Sequence, residues 1–139
     1  MRRLLLSMLA ATAVLTTACG GDSSTGPGAS VVGTYSLQTV NSKALPYVAY
    51  DDGTEKIEVL SDSYTLTATG TYTNETVVRT TIGGTPTTDT YSYDGTYTQS
   101  GNTVTLTDSQ DPTDVVSATV SGSTFTISVQ GLVLVYTRS

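Results

Sequence analysis

Histidine is absent from this chain, cysteine occurs once, and lysine and arginine number 6 against 12 aspartates and glutamates. Without histidine there can be no Ser-His-Asp or Cys-His arrangement and no imidazole metal ligand. The lone cysteine, Cys19, cannot form an internal disulfide, and its place near the N-terminus leaves the rest of the chain without a thiol nucleophile. The formal net charge is −6, and −8 once Arg2 and Arg3 of the opening segment are removed. That sign repels nucleic acid and anionic lipid head groups. The carboxylates form no catalytic pair. Asp51-Asp52-Gly53 reads as a turn, and Glu55 and Glu58 stand three apart on a strand and so face opposite ways. Asp108, Asp111 and Asp114 lie in a stretch that holds Pro112 and lacks the glycine of a calcium loop, so a polar turn is expected there. No enzymatic activity, metal or cofactor is expected.

What is present begins with an address. Met1, Arg2 and Arg3 form a basic head, residues 4–15 an apolar core, and Thr16-Thr17-Ala18 a small-residue end, which together read as a signal peptide over 1–18. Fifteen residues of helix from Leu4 to Ala18 would span only about 22 Å, too little for roughly 30 Å of hydrocarbon. Leu15-Thr16-Thr17-Ala18-Cys19 resembles the bacterial lipobox, in which the cysteine sulfur receives a diacylglycerol and the new amino group is acylated. The same small residues also suit ordinary signal cleavage, which would leave a free thiol. Lipidation is the preferred reading, because an exported chain with one cysteine otherwise carries an exposed reactive group. Cys19 and the Gly/Ser-rich stretch to residue 30 then form a flexible tether. The resemblance implies a membrane-anchored lipoprotein of the cell envelope. Gly20 in place of the aspartate that retains some lipoproteins favours the outer membrane.

Residues 31–139 are the length of one domain and read as all-β. Threonine, valine and tyrosine alternate in strand-length runs at 33–40, 55–60, 64–68, 72–82, 88–98, 103–107, 115–120, 124–129 and 132–138. Past residue 54 the gaps at 69–71, 83–86, 100–102, 121–123 and 130–131 are hairpin-sized, so successive strands should be antiparallel neighbours. A Greek-key sandwich needs a long return connection that this stretch lacks. An up-and-down meander of eight or nine strands, closed into a small barrel, is therefore favoured, since closure removes both edges.

Gly33-Thr34-Tyr35 on the first strand is similar to the Gly-x-Trp start of lipocalins and related calycin barrels, and Tyr136-Thr137-Arg138 resembles their last strand. The resemblance implies a lipocalin-like domain over 31–139 in which Arg138 packs on Tyr35 beside Gly33 and seals one end of the barrel. Alternation places Tyr35, Tyr64, Tyr72, Tyr91, Tyr93 and Tyr97 inside, with Leu37, Leu66, Leu106, Phe125, Ile127 and Leu134. Asn74 and Thr76 fall on the Tyr72 face, where buried phenols could find partners. Two readings follow. Tyr64, Tyr72, Tyr91, Tyr93 and Tyr97 line a cavity for a small apolar or amphiphilic ligand, or the rings fill the barrel and the protein works through its outer face. The last strand, apolar on both faces at 132–136, suits the second reading.

Overall fold

The structure, a computed structural model, describes residues 31–139, and these form no helix. Ten strands follow one another: β1 (Gly33–Val40), β2 (Lys43–Ala44), β3 (Tyr47–Asp51), β4 (Glu55–Leu66), β5 (Thr71–Ile82), β6 (Thr85–Ser100), β7 (Thr103–Asp108), β8 (Val115–Ser121), β9 (Thr124–Val129) and β10 (Leu132–Arg138). From β4 to β10 each strand pairs antiparallel with the next, as the short loops require, and β10 returns to β1. The circle closes where β1 pairs with β4, from Gly33 opposite Leu66 to Ser36 opposite Ser63. β1 and β4–β10 thus make a closed eight-stranded up-and-down barrel. β2 and β3 are additional, and lie where β1 and β4 part company.

Two sequence expectations change in detail. The segments 55–60 and 64–68 are one strand, because a bulge between Val59 and Ser61 absorbs Leu60 and lets β4 stay paired with β5 on both sides. The connection 41–54, expected to be a loop, carries the short β2 and β3.

The two ends of the barrel differ. At the lower end, where β1 begins and β10 finishes, the short turns lie side by side. The Tyr97 and Arg138 amides donate to the Gly70 and Ser123 carbonyls, both 2.8 Å away. Val31, Tyr35 and Tyr97 plug this end. The Tyr35 hydroxyl donates to the Val31 carbonyl, and that of Tyr97 to the Thr67 carbonyl at 2.7 Å. The Arg138 guanidinium carbon lies 5.1 Å from the Tyr35 ring centroid and its Nη2 donates to the Tyr35 hydroxyl. Gly33 makes room for that arginine: its φ is +150°, and a Cβ there would stand 3.3 Å from Arg138 Nε.

At the upper end the sheet outruns the barrel. β6 pairs with β5 from Thr85 to Thr96 but meets β7 only from Gly95 to Ser100. Its first ten residues, 85–94, therefore rise past the rim with the upper parts of β4 and β5 and with β3, as a four-stranded blade. Gly95 is the point of departure. A Cβ on it would collide with the Thr107 carbonyl oxygen and stand 2.7 Å from Tyr72 Cε1. Only glycine lets β6 lie against β7 there while the Tyr72 ring covers it.

Inside the barrel, strict alternation on β7, β8 and β9 delivers Val104, Leu106, Ala118, Val120, Phe125 and Ile127 to the core. Phe125, fully buried, packs at 5.2 Å from Tyr35, 5.8 Å from Tyr64 and 5.9 Å from Tyr136 between ring centroids. Each such side chain contributes roughly 1.5–3 kcal/mol by leaving water. The lower and middle barrel is thus filled by its own rings.

Candidate functional site

Above that filled core the barrel opens into a cup of about 240 Å³, lined by Tyr64, Tyr72, Asn74, Tyr93, Leu106, Asp108, Asp114 and Val116. Its walls follow from strand period two. Tyr64 stands opposite Asn74 and Tyr93 in one cross-strand row, and Leu66, Tyr72 and Gly95 form the row below. Because Gly95 has no side chain, the Tyr72 ring can lie across the sheet. A second depression of about 290 Å³ shares Tyr93, Asp108 and Asp114 and adds Ser92, Asp94, Gln110 and Asp111. It lies where the edge of β6 is no longer covered by β7.

The inward phenols divide into two groups. Tyr35, Tyr97 and Tyr136 have hydrogen-bond partners: Val31 and Arg138, Thr67, and the Asp62 carboxylate respectively. The Tyr64 and Tyr72 hydroxyls have none among the described residues, although Tyr72 is only 7% exposed and the two rings pack at 5.8 Å. Neither hydroxyl oxygen is fully buried, so both reach the open side of the cup. Both therefore offer bonding capacity to whatever enters the cup. Burial, the nearby Asp62 carboxylate, the Tyr72 phenol and Asp114 hold the Tyr64 phenol well above the usual range. Burial and then Asp108, Asp114 and Asp94 raise that of Tyr72. Both stay neutral at ordinary pH.

Behind the cup lies a polar network. Asp62 accepts from Asn74 Nδ2 at 2.7 Å and Thr76 Oγ1 at 2.9 Å, and the Tyr136 hydroxyl also donates to it. Burial raises the Asp62 pKa against the opposing pull of these three donors. Asn74 is 7% exposed and donates to the Ser63 carbonyl as well, which fixes this wall of the cup. Asp62 was not foreseen from sequence, because Ser61-Asp62-Ser63 looks like a polar turn. Counting back two residues from the inward Tyr64 would have found it.

The five tyrosines expected to line one cavity are not all together. Tyr64, Tyr72 and Tyr93 meet at the cup. Tyr97 lies at the sealed end, bonded to Thr67. Tyr91 and Tyr93 keep the inner face of β6 but stand 48% and 52% exposed, because β7 has ended below them. The expectation that both point into a closed interior is corrected on that ground. Tyr93 shapes the mouth of the cup, and Tyr91 lines neither depression. Gly33, Tyr35 and Arg138 are in mutual contact, at the end opposite the cup. Cys19, with the signal peptide and tether, lies outside the described residues.

Several of the remaining acids are occupied by turns and by ion pairs. Asp108 Oδ1 accepts the Gln110 and Asp111 amides, and Asp111 Oδ1 accepts the Thr113 amide and hydroxyl. On the outer face of the blade Glu58 sits between Lys56 at 2.9 Å and Arg79 at 2.7 Å, which together hold its carboxyl below the usual range. Among the described residues no cluster of three or more acids is placed to hold a metal ion. Comparison with protein-family models, curated proteins and solved structures yields no match, so the site is read from its geometry.

Proposed function

We propose that this chain is an exported lipoprotein of the cell envelope, tethered through Cys19, whose lipocalin-like barrel binds a small molecule in the cup at its open end. The observation that carries the reading is the pair of unpartnered phenol hydroxyls, Tyr64 and Tyr72, facing a depression open to solvent. The barrel below is filled, so the ligand is small and held near the surface, and no long acyl chain has room to enter. Pockets for drug-sized ligands begin near about 300 Å³, and this cup lies just under that bound. Contact between Arg138 and Tyr35 at the sealed end supports the lipocalin-like reading of the domain. The binding role involves no catalysis.

The test is native mass spectrometry of the full chain, extracted from its producing membrane in mild detergent. A bound small molecule is expected, and it should be lost in Tyr64→Phe/Tyr72→Phe. Recovery of only the empty protein from every preparation counts against the cup. Intact mass of the same sample reports the anchor: acyl chains on Cys19 support the tether, and an unmodified mass beginning at Cys19 refutes it.

A second reading rests on the blade. Val48, Tyr50, Ile82 and Tyr91 are exposed there, and residues 85–93 of β6 have an unpaired edge among the described residues. Such a surface suits strand addition by a protein partner. Cross-linking in the intact envelope that recovers a partner through the blade favours this role, and recovery of monomer alone argues against it.

A further inference from the structure

The surroundings of the cup are electrically one-sided. Asp108 and Asp114 lie on its rim, Asp94 and Asp111 line the adjoining depression, and no lysine or arginine lines either. The cations of the domain are elsewhere. Lys56 and Arg79 are paired with Glu58 on the outer face of the blade, Arg138 lies against Tyr35 at the opposite end, and Lys43 is on β2. The carboxylates of Asp94 and Asp114 have neither an ion pair nor a hydrogen bond among the described residues. Carboxylates on a surface need mean nothing alone. Here they flank Tyr72, a side chain 7% exposed whose hydroxyl has no partner and which forms the cup wall. The same carboxylates are close enough to oppose ionisation of that hydroxyl.

Each surface suits one chemistry. Neutral phenol oxygens accept hydrogen bonds, ring faces carry negative charge, and the rim supplies full negative charges. Leu106 and Val116 give an apolar wall for hydrocarbon. A carboxylate or phosphate entering here would meet four acids and no cation. We propose that the cup selects a small organic cation, an alkyl- or arylalkylammonium ion, with its ammonium group between the tyrosine hydroxyls and the rim carboxylates and its hydrocarbon against Leu106 and Val116. Size agrees. A cavity of about 150 Å³ already accepts benzene, so about 240 Å³ takes one ring and a short amine-bearing chain. Two of the acids spend an oxygen on turn amides, which suits a diffuse ammonium ion better than a metal needing many oxygen ligands.

The inference rests on the cup being a binding site, and three probes of similar shape separate the two claims. 2-Phenylethylamine, 2-phenylethanol and 3-phenylpropanoate are titrated into the full chain by calorimetry, at low and at physiological salt. The amine should bind one to one, about tenfold or more tighter than the alcohol, and the propanoate should not bind. Added salt should weaken the amine and leave the alcohol unchanged. Asp114→Asn, an exposed loop change that leaves the core intact, should erase the preference for amine over alcohol. Asp89→Asn on the blade removes the same charge away from the cup and should preserve it. Equal binding of amine and alcohol, or a preference that survives Asp114→Asn, overturns the inference. If the alcohol or the propanoate binds and the amine does not, the cup stands and its charge selectivity falls. If none of the three binds, both fall.

Discussion

The barrel and the blade are cut from the same strands. β4, β5 and β6 run through both, β5 and β6 with one register and one alternation and β4 across its bulge at Leu60, yet in the barrel every second residue is buried and in the blade almost none is. Tyr97 and Tyr91 lie on the same face of one strand, one 3% and the other 48% exposed. What differs is the neighbour across the sheet. Below Gly95 the far wall of the barrel faces the strand, and above it β7 has ended. Alternation sets which face a side chain takes, and closure sets whether that face is covered. The cup exists at the boundary, where phenols built as core residues come within reach of solvent.

The comparison is most easily broken by truncation. Phe125→Ala should cost about 4 kcal/mol, measured by urea unfolding, because a fully buried ring leaves a cavity among Tyr35, Tyr64 and Tyr136. Next comes the hinge between the regions. Gly95→Ala should cost about 2 kcal/mol, since the new methyl meets the Thr107 carbonyl and the packed Tyr72 ring. It should also displace a cup wall, and so weaken ligand binding beyond its effect on stability.

A smaller effect comes from Asp62. Its folded pKa is raised by burial, so its contribution to stability is fully present below the unfolded value near 3.9 and is lost as pH rises through the folded value. Asp62→Asn removes that loss. The difference in melting temperature between Asp62→Asn and the parent should therefore move in favour of the variant as pH rises from 3.5 to 7. Glu58 runs the other way: its lowered pKa gives stability above the ordinary glutamate range that is lost as pH falls. Taking the variant-minus-parent difference isolates Asp62 from it. The smallest change is on the blade. Tyr91→Ala should alter stability by no more than about 0.5 kcal/mol, and a loss near that of Phe125→Ala would show that something covers the blade in solution.

Much of the barrel is legible in the sequence. Hairpin-length gaps give the meander, the lack of a return connection points to closure, and alternation correctly places Tyr35, Leu37, Leu66, Tyr72, Phe125 and Ile127 inside. What stays hidden depends on heights along the barrel axis. Nothing local in Tyr91-Ser92-Tyr93 tells that β7 stops opposite Gly95, because that is set by the β6–β7 turn and by pairing with another strand. The strands β2 and β3 are short and draw their stability from β1 and β4, so their own residues signal them weakly. Asp62 hides because a carboxylate between two serines looks solvated, whereas Asn74, Thr76 and Tyr136 provide for it from two other strands. The site is thus legible as a set of inward tyrosines and illegible as a cup.

The nine tyrosines sample both regions and the boundary, which makes them the most direct probe of the central claim. The full chain with 13C-labelled tyrosine rings should be titrated with 2-phenylethylamine and followed by NMR. Signals of Tyr64, Tyr72 and Tyr93 should shift together and saturate, while those of Tyr50 and Tyr91 on the blade stay in place. Saturable shifts at Tyr50 and Tyr91 with the cup tyrosines unmoved would contradict the account.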